Sequence, residues 1–216
     1  MDQAMTRTSR NKEADADREG VGARKSQKTR QALIAAGIAL FNRAGYEATS
    51  VKEIVEEAGL TKGAFYHHFE SKQHLLELIY EEYLSYQLQI FNEVITHSAT
   101  PAERIAELIS CMVFAVDRYR EHVTIFFQEQ RSFPQSYRQT VVEARDMLKT
   151  EFKKAIQEGI ASGDFRKDLD SDVATMALLG MCTWTYQWLS RSGRLPAEKV
   201  SEIFANLALG GLCEPR

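Results

Sequence analysis

The chain has 216 residues, 44% of them hydrophobic, and a formal net charge of −3. This size allows one medium domain with a small second one, and four prolines without alternating Val, Ile and Thr runs disfavour sheet and predict an all-α fold. Residues 1–74 hold 12 Lys and Arg against 10 Asp and Glu, whereas residues 75–216 hold 15 against 20, so a polyanionic partner is expected to meet the N-terminal part.

Cysteine usage and apolar runs indicate the compartment. Cys111, Cys182 and Cys213 are odd in number and contain no CxxC pair, which indicates neither a disulfide framework nor a zinc site and favours a reducing cytoplasm. The N-terminus is polar, and the longest uncharged run, 173–189, is short for a membrane span and interrupted by polar residues. We therefore expect a soluble protein.

The first 24 residues are rich in charged and small polar types, so they cannot bury enough surface to offset ordering. We expect a disordered tail over 1–24, which is solvated or, as the less favoured alternative, reaches the DNA minor groove through Arg7, Arg10 and Lys12. From about Ser26 to Ala44, apolar residues recur at helical spacing and predict the first helix.

A helix-turn-helix is predicted from residues 49–69. Ser50 and Glu53 form a capping box before an apolar pattern of helical period, so a short helix begins at Ser50. Gly59 ends that helix, because a residue just past a helix end often needs a positive φ. Thr61 then caps a second helix, and such a pair lays its second helix in the DNA major groove.

The exposed side of that second helix carries groups suited to DNA, although a solvated polar face is the alternative for each residue alone. Lys62 is cationic, Gly63 lets a partner approach the backbone, and Tyr66 and His67 offer hydrogen-bond donors to phosphate oxygens. Lys72 falls in the first turn of the next helix, where the helix dipole also attracts a phosphate. The predicted DNA-contacting residues are Thr49, Ser50, Thr61, Lys62, Gly63, Tyr66, His67 and Lys72.

Six further helices bring the predicted total to about nine. Ser71 begins a long amphipathic helix, and Thr100, Pro101 and Glu103 combine a capping box with proline at the first helical position. Two later helices are predicted over 122–133 and from Pro134 to about 160, and Gly159 and Gly163 end the second of them. A further helix follows Asp168, Asp170 and Ser171 and reaches about 189, and the last helix begins near 196. These elements predict a DNA-binding domain over 25–72 and a second helical domain over 73–216.

Apolar residues in the second half leave two alternatives open. The segment 173–189 is apolar nearly all round and the last helix carries one apolar stripe, so the pair either closes a monomer core or packs against its symmetry mates. The many large aromatic and methionine side chains suit a small-molecule cavity, although such stripes are usually plain core. Arg138, Arg145 and Lys149 share one helix face and meet either an anionic ligand or neighbouring acids.

The N-terminal motifs resemble the DNA-binding signature of the TetR family of bacterial one-component regulators. The match covers 28–76 and is carried by Phe41, Gly45-Tyr46, Thr49-Ser50-Val51, Ala58-Gly59, Lys62-Gly63, Tyr66-His67-His68-Phe69 and Ser71-Lys72. The resemblance implies a dimer that reads a palindromic operator and joins through its last two long helices, at Met176, Leu179, Val200, Ile203, Phe204 and Leu207. It also implies an effector cavity, expected to contain Phe126, Phe127, Tyr137, Arg138, Arg145, Met181, Trp184 and Trp188.

The C-terminal half is similar to the fatty-acid and steroid catabolism branch of that family, whose members release DNA on binding an acyl-CoA thioester. The residues that carry this likeness are Phe127-Gln128-Glu129-Gln130, Gly159, Gly163-Asp164-Phe165 and the segment 179–188. Some relatives place an arginine one turn before the tryptophan that matches Trp184, whereas this chain has Gly180 there.

Catalysis finds little support in the sequence. The five histidines have no metal-ligand spacing, and neither GxSxG nor a phosphate-binding glycine loop is present, so no cofactor or metal is expected. The sequence therefore predicts a ligand-responsive regulator, a repressor that a small molecule releases from its operator. The alternative is a helical lipid or acyl-thioester binding protein without a DNA-regulatory role, against which the second helix of the predicted motif argues.

Overall fold

The computed structural model describes residues 2–97, 100–190 and 192–214, without the side chains of residues 2–21, 96, 97 and 136. The described residues form helices and no strands, as predicted. The helices are α1 (Asp2–Ala44), α2 (Val51–Glu57), α3 (Lys62–His68), α4 (Lys72–His97), α5 (Pro101–Arg118), α6 (Arg120–Gln128), α7 (Gln135–Ser162), α8 (Ser171–Thr183), α9 (Thr185–Trp188) and α10 (Ala197–Leu212). Because α8 and α9 are separated by Trp184 alone, they amount to one interrupted helix, which gives the nine predicted.

Two compact units divide the chain, Met1–Leu76 and Glu77–Arg216. The division lies inside α4, after residue 76 rather than after the predicted 72. No described helix has the length and apolarity that a membrane span requires. α1 begins at Asp2, well before the predicted Ser26, so it includes residues 2–24 of the predicted tail. The side chains of Arg7, Arg10 and Lys12, which were considered for the minor groove, lie outside the described residues.

The helix-turn-helix of the N-terminal unit forms as its sequence predicts. Ser50 and Glu53 complete the capping box of α2, and the Thr61 side chain accepts a hydrogen bond from the Ala64 amide at the start of α3. Gly59 has φ of 66°, and the amide of Leu60 donates to the Val55 carbonyl at 2.8 Å, which closes the turn between α2 and α3.

A compact apolar core fixes α3 against α1 and α2. Phe41, Ile54, Phe65 and Phe69 are completely or almost completely buried there. Gly45, with φ of 85°, ends α1 as predicted and turns the chain toward α2. Both short helices are also capped at their N-termini, which stabilises them further.

The C-terminal unit is built on α5, which packs against α7, α8 and α10. Thr100 and Glu103 complete the predicted capping box of α5. α6 spans Arg120–Gln128 instead of the predicted 122–133, because residues 129–132 form a turn that precedes Pro134, the N-cap of α7. The core of the unit includes Phe91, Ile109, Phe152, Ile156 and Phe165 among its fully buried residues.

Gly159 does not end α7, contrary to the prediction. The helix continues to Ser162, and Gly163, with φ of 86°, supplies the left-handed residue that terminates it. Gly159 instead makes room for a ring, because a β-carbon placed there would overlap with the Phe165 ring. The glycine pattern in this segment therefore has two separate causes, a turn and a close packing contact.

Candidate DNA-binding and effector sites

The exposed face of α3 carries most of the predicted DNA contacts. Lys62, Gly63 and His67 are exposed, and the Tyr66 ring is 57% exposed. A β-carbon at Gly63 would approach only the Thr61 hydroxyl, at 3.8 Å, so nothing within the unit requires glycine at this position. The arrangement suits a partner that contacts the backbone of α3 closely.

Two of the predicted DNA-contacting residues have structural roles within the unit. Thr49 is 3% exposed, and its hydroxyl donates to the Gly45 carbonyl at 2.8 Å. The Lys72 ammonium donates to the carbonyls of Tyr46, at 2.7 Å, and Thr49, at 2.9 Å, and lies 4.0 Å from the centre of the Tyr46 ring. These contacts hold the turn between α1 and α2, and the half-buried Lys72 ammonium has a third N–H beyond these two bonds.

Ser50, the N-cap of α2, is exposed, but its hydroxyl is already hydrogen-bonded within the unit. That hydroxyl donates to the Glu53 carboxylate at 2.7 Å and accepts from the Glu53 amide at 3.2 Å. Hydrogen bonds from the Ser50 side chain and backbone lower the pKa of Glu53. Ser50 can therefore contact DNA only while it also serves as the helix cap.

A groove between α1 and α3 was not predicted from the sequence. It has a volume of about 280 Å³ and is lined by Lys25, Ser26 and Thr29 of α1 together with His67 and His68 of α3. The signal was available, because 22, 25, 26 and 29 share one helix face and carry small, polar or cationic side chains. Such groups are suited to contacts with phosphate oxygens.

The C-terminal unit contains a cavity of about 490 Å³, which is within the range of small-molecule sites. Its inner wall consists of buried residues of α4 to α7: Tyr80, Tyr83, Leu84, Gln87, Met112, Val123, Phe126 and Leu148. The Tyr80 and Phe126 rings are stacked at 4.0 Å, and burial raises the pKa of Tyr80 to about 12. The inner wall is therefore largely apolar and uncharged at neutral pH.

The outer part of the cavity is charged and open. Arg145, Asp146, Met176 and Gly180 are exposed or half-buried residues of α7 and α8, and Lys149 is half-buried beside them. The Arg145 guanidinium lies 5.5 Å from the Phe126 ring centre and 5.6 Å from that of Phe127. A ligand with an apolar body and an anionic end would match both parts of the site.

One polar pair interrupts the apolar inner wall. Tyr83 and Gln87 lie one turn apart on α4, are both buried, and both line the cavity. Burial raises the pKa of the Tyr83 phenol well above its ordinary value, so the hydroxyl keeps its proton. Neither residue was predicted to line the site, because Tyr83 has the helical spacing of a core residue and Gln87 has the composition of a surface residue.

Three of the eight predicted effector residues line the cavity: Phe126, Phe127 and Arg145. Five do not, which corrects the prediction for Tyr137, Arg138, Met181, Trp184 and Trp188. The Tyr137 hydroxyl donates to the Glu77 carbonyl at 2.9 Å and its ring stacks on Phe133, while Arg138 is exposed. Met181 packs against the core, and both tryptophans face outward.

Exposed apolar side chains concentrate on the last helices. Among the described residues, six of the eight exposed large hydrophobic side chains belong to α8, Trp184, α9 and α10: Val173, Met176, Trp184, Trp188, Ile203 and Leu207. We call this set the terminal face. A Trp188 to Phe204 ring contact at 6.0 Å shows that α9 and α10 are adjacent.

The predicted interface residues divide between this face and the core. Met176, Ile203 and Leu207 are exposed, and Leu179 and Phe204 are half-buried. Val200 is 2% exposed and belongs to the core, so it cannot offer a surface to another subunit and its prediction was wrong.

Comparison with known proteins agrees with the two-unit division. Residues 33–79 match the family described as "Bacterial regulatory proteins, tetR family", and residues 98–212 match "Tetracyclin repressor-like, C-terminal domain". A helix-turn-helix followed by a helical unit with a cavity defines a one-component, ligand-responsive transcriptional regulator. The chain belongs to the TetR family, whose members bind operator DNA as dimers and respond to small molecules.

Several relatives are similar over most of the chain. The HTH-type transcriptional repressor KstR2 of Mycolicibacterium smegmatis is 26% identical over 86% of this chain and 91% of its own length. The structure of the ketosteroid transcriptional regulator KstR2 of Mycobacterium tuberculosis is 26% identical with a TM-score of 0.81, over 86% of this chain and 95% of that one. The structure of AibR with isovaleryl coenzyme A and operator DNA is 25% identical with a TM-score of 0.71, over 83% and 97%.

Proposed function

We propose that this regulator is a repressor that binds an acyl-CoA thioester in the cavity of its C-terminal unit and then releases a palindromic operator. The observation that carries the proposal is the division of the cavity into a buried, largely apolar wall and a mouth where two cations, Arg145 and Lys149, outnumber one carboxylate, Asp146. An acyl chain suits the apolar wall, and the phosphates of coenzyme A suit the cations. The complex of AibR with isovaleryl coenzyme A and operator DNA supports this assignment.

Arg145 and Lys149 would bind the coenzyme A phosphates in place of an arginine on α8, which this chain lacks. Gly180, which stands where some relatives have an arginine, lines the mouth without offering a side chain. A β-carbon at Gly180 would meet nothing within 4 Å, so the mouth is open on that side. Both cations line the same cavity from α7, and we expect them to bind phosphate groups of a ligand that projects from it.

The dimer interface is proposed to be the terminal face. Monomeric proteins rarely expose so much apolar surface in one region, and such patches mark interaction sites. Met176 belongs both to this face and to the cavity lining, and Gly180 and Thr183 line the cavity from the same helix. A ligand in the cavity therefore contacts the helix that we assign to the interface.

The energy required for release is within reach of an acyl chain. Moving a population from 1:99 to 99:1 needs roughly 10⁴-fold preference for the state that does not bind DNA, about 5.5 kcal/mol. Each buried methylene contributes about 0.8 kcal/mol, so roughly seven methylenes suffice if the cavity accepts the chain only in that state.

An acyl-CoA series is expected to release operator DNA with a potency that rises about fourfold per added methylene, ~0.8 kcal/mol, until the cavity is filled. The matching free fatty acids should act more weakly, because they lack the phosphates that Arg145 and Lys149 bind. The measurement is a fluorescence-anisotropy titration of operator release with straight-chain acyl-CoAs from butyryl to palmitoyl.

Replacement of both cations by glutamine, Arg145→Gln with Lys149→Gln, should remove most of the advantage of the thioesters over the free acids while keeping the chain-length slope. Arg138→Gln is the matched control, since Arg138 is exposed on the same helix and does not line the cavity. If no acyl-CoA acts at micromolar concentration while an unrelated aromatic or cationic compound does, the effector assignment is wrong and the regulator assignment stands.

Lys62→Ala is expected to weaken operator binding by about 1 to 3 kcal/mol and to relax base preference, whereas Tyr66→Phe should weaken binding to all sequences alike by removing a phosphate contact. Gel shifts on operator and scrambled DNA measure both effects. Lys154→Ala serves as the control, because Lys154 is an exposed lysine of the C-terminal unit that pairs with Glu151. Unchanged binding in both α3 variants would remove α3 from the interface.

We infer that the protein acts in the cytoplasm and by binding rather than by catalysis. Its relatives are described as transcriptional regulators. The thiols of Cys111, Cys182 and Cys213 are free, which agrees with a reducing compartment.

A further inference from the structure

The inner wall of the cavity is more polar than a hydrocarbon chain requires. Among the buried residues that line it, Tyr83 and Gln87 are two polar side chains one turn apart on one helix. Gln87 is 4% exposed and Tyr83 is 6% exposed. Buried polar groups are costly unless they are paired, so a site for hydrocarbon alone would be expected to carry apolar residues here.

The pair retains hydrogen-bonding capacity toward the cavity. A glutamine amide offers two donor hydrogens and an acceptor oxygen with two lone pairs, and a phenol offers one donor and two lone pairs. The phenol keeps its proton because burial raises the pKa of Tyr83 far above neutral pH. A ligand oxygen beside the pair can therefore accept from one partner, and a ligand hydroxyl can also donate.

The position of the pair in the cavity sets which part of a ligand it meets. Gln87 and Tyr83 belong to the buried wall on α4, whereas Arg145 and Asp146, at the mouth on α7, are exposed. If the coenzyme A phosphates are held at the mouth, the pair faces the acyl portion and not the charged end. Its chemistry then concerns the acyl group itself.

We propose that Tyr83 and Gln87 are specificity-determining residues that select an acyl group bearing a ketone or hydroxyl oxygen remote from the thioester. This inference rests on the proposed acyl-CoA function and names the class of acyl group. A plain alkyl chain displaces water from the pair and leaves an amide or hydroxyl position unpaired, which weakens binding by roughly 10- to 100-fold relative to an oxygenated chain. Sites built to hydrogen-bond a polar ligand group reject analogues that lack it.

The test compares thioesters of equal chain length: decanoyl-CoA, 9-oxodecanoyl-CoA and 9-hydroxydecanoyl-CoA, each titrated calorimetrically against the full-length protein. The oxygenated thioesters are expected to bind at least ~10-fold more tightly and to release operator DNA at correspondingly lower concentration. Gln87→Met, which keeps side-chain length, and Tyr83→Phe, which removes only the hydroxyl, should each reduce that preference to less than about threefold. Decanoyl-CoA should bind either variant as tightly as the wild type or more tightly.

The outcomes separate this inference from the function on which it rests. If decanoyl-CoA binds and releases DNA as well as its oxygenated analogues do, the specificity role is overturned and the acyl-CoA function stands. A preference that survives in both variants also overturns the role of the pair. If none of the three thioesters binds, the proposed function fails and this inference fails with it. The wild-type protein alone distinguishes the first and last of these outcomes, even if a variant does not fold.

Discussion

A glutamate in place of Leu207 is expected to convert the dimer into monomers and to abolish high-affinity operator binding. Leu207 is 64% exposed in the single chain, so a glutamate there remains solvated in the monomer and costs its fold little. In a dimer joined through the terminal face, each subunit would bury an unpaired carboxylate, at a cost of several kcal/mol. Light scattering measures the mass, and a gel shift with a two-half-site operator measures the loss of binding.

Position 207 separates assembly from folding better than its neighbour does. Phe204 is half-buried and its ring contacts Trp188, so a charge at 204 would disturb the subunit as well as the interface. Val142→Glu is the matched control, because Val142 is an exposed apolar residue of α7, outside the terminal face. A folded Leu207→Glu protein that still has the mass of a dimer would place the interface elsewhere.

Gly159→Ala should destabilise the C-terminal unit by about 3 kcal/mol, at the upper end of the range for overpacked cores. The added β-carbon would overlap with the Phe165 ring, which is almost fully buried in the core of the unit. Thermal unfolding followed by circular dichroism measures the loss. The same substitution at Gly210, an exposed glycine of α10 with nothing within 4 Å of its β-carbon, should leave the midpoint unchanged or raise it.

A second substitution identifies the cause of the destabilisation. Phe165→Leu narrows the side chain that meets position 159, so the double variant should lose less stability than the two single losses added together. Simple additivity would show that the ring is not what excludes a β-carbon. Gly159 would then be retained for another reason, such as flexibility of the last turns of α7.

The local elements of this protein were predictable because their signals are local. The capping boxes at Ser50 and Thr100 and the positive φ of Gly59 each depend on residues within a few positions of one another. The helix-turn-helix follows from them, and so does the outward position of Lys62 and Tyr66, since a helix of known start and buried face has a known exposed face.

The effector residues were predicted less well because a cavity is a property of several helices together. Trp184 and Trp188 have the composition of a ligand site, yet the position of α8 and α9 turns them outward. Gln87 has the composition of a surface residue, yet its place on α4 brings it to the inner wall. Residue type reports what a side chain prefers, whereas neighbouring helices decide what it contacts.

The sequence by itself determined the helices, their caps, the DNA-reading motif and the membership of the TetR family, because these depend on short-range spacing. Only the tertiary structure decided that Thr49 and Lys72 hold a turn, that Val200 is core, and that Gly159 accommodates Phe165. Each of these outcomes depends on a contact between segments that local periodicity does not relate. The direction of a side chain along its own helix is local, but the burial and hydrogen bonding of that side chain depend on packing with other helices.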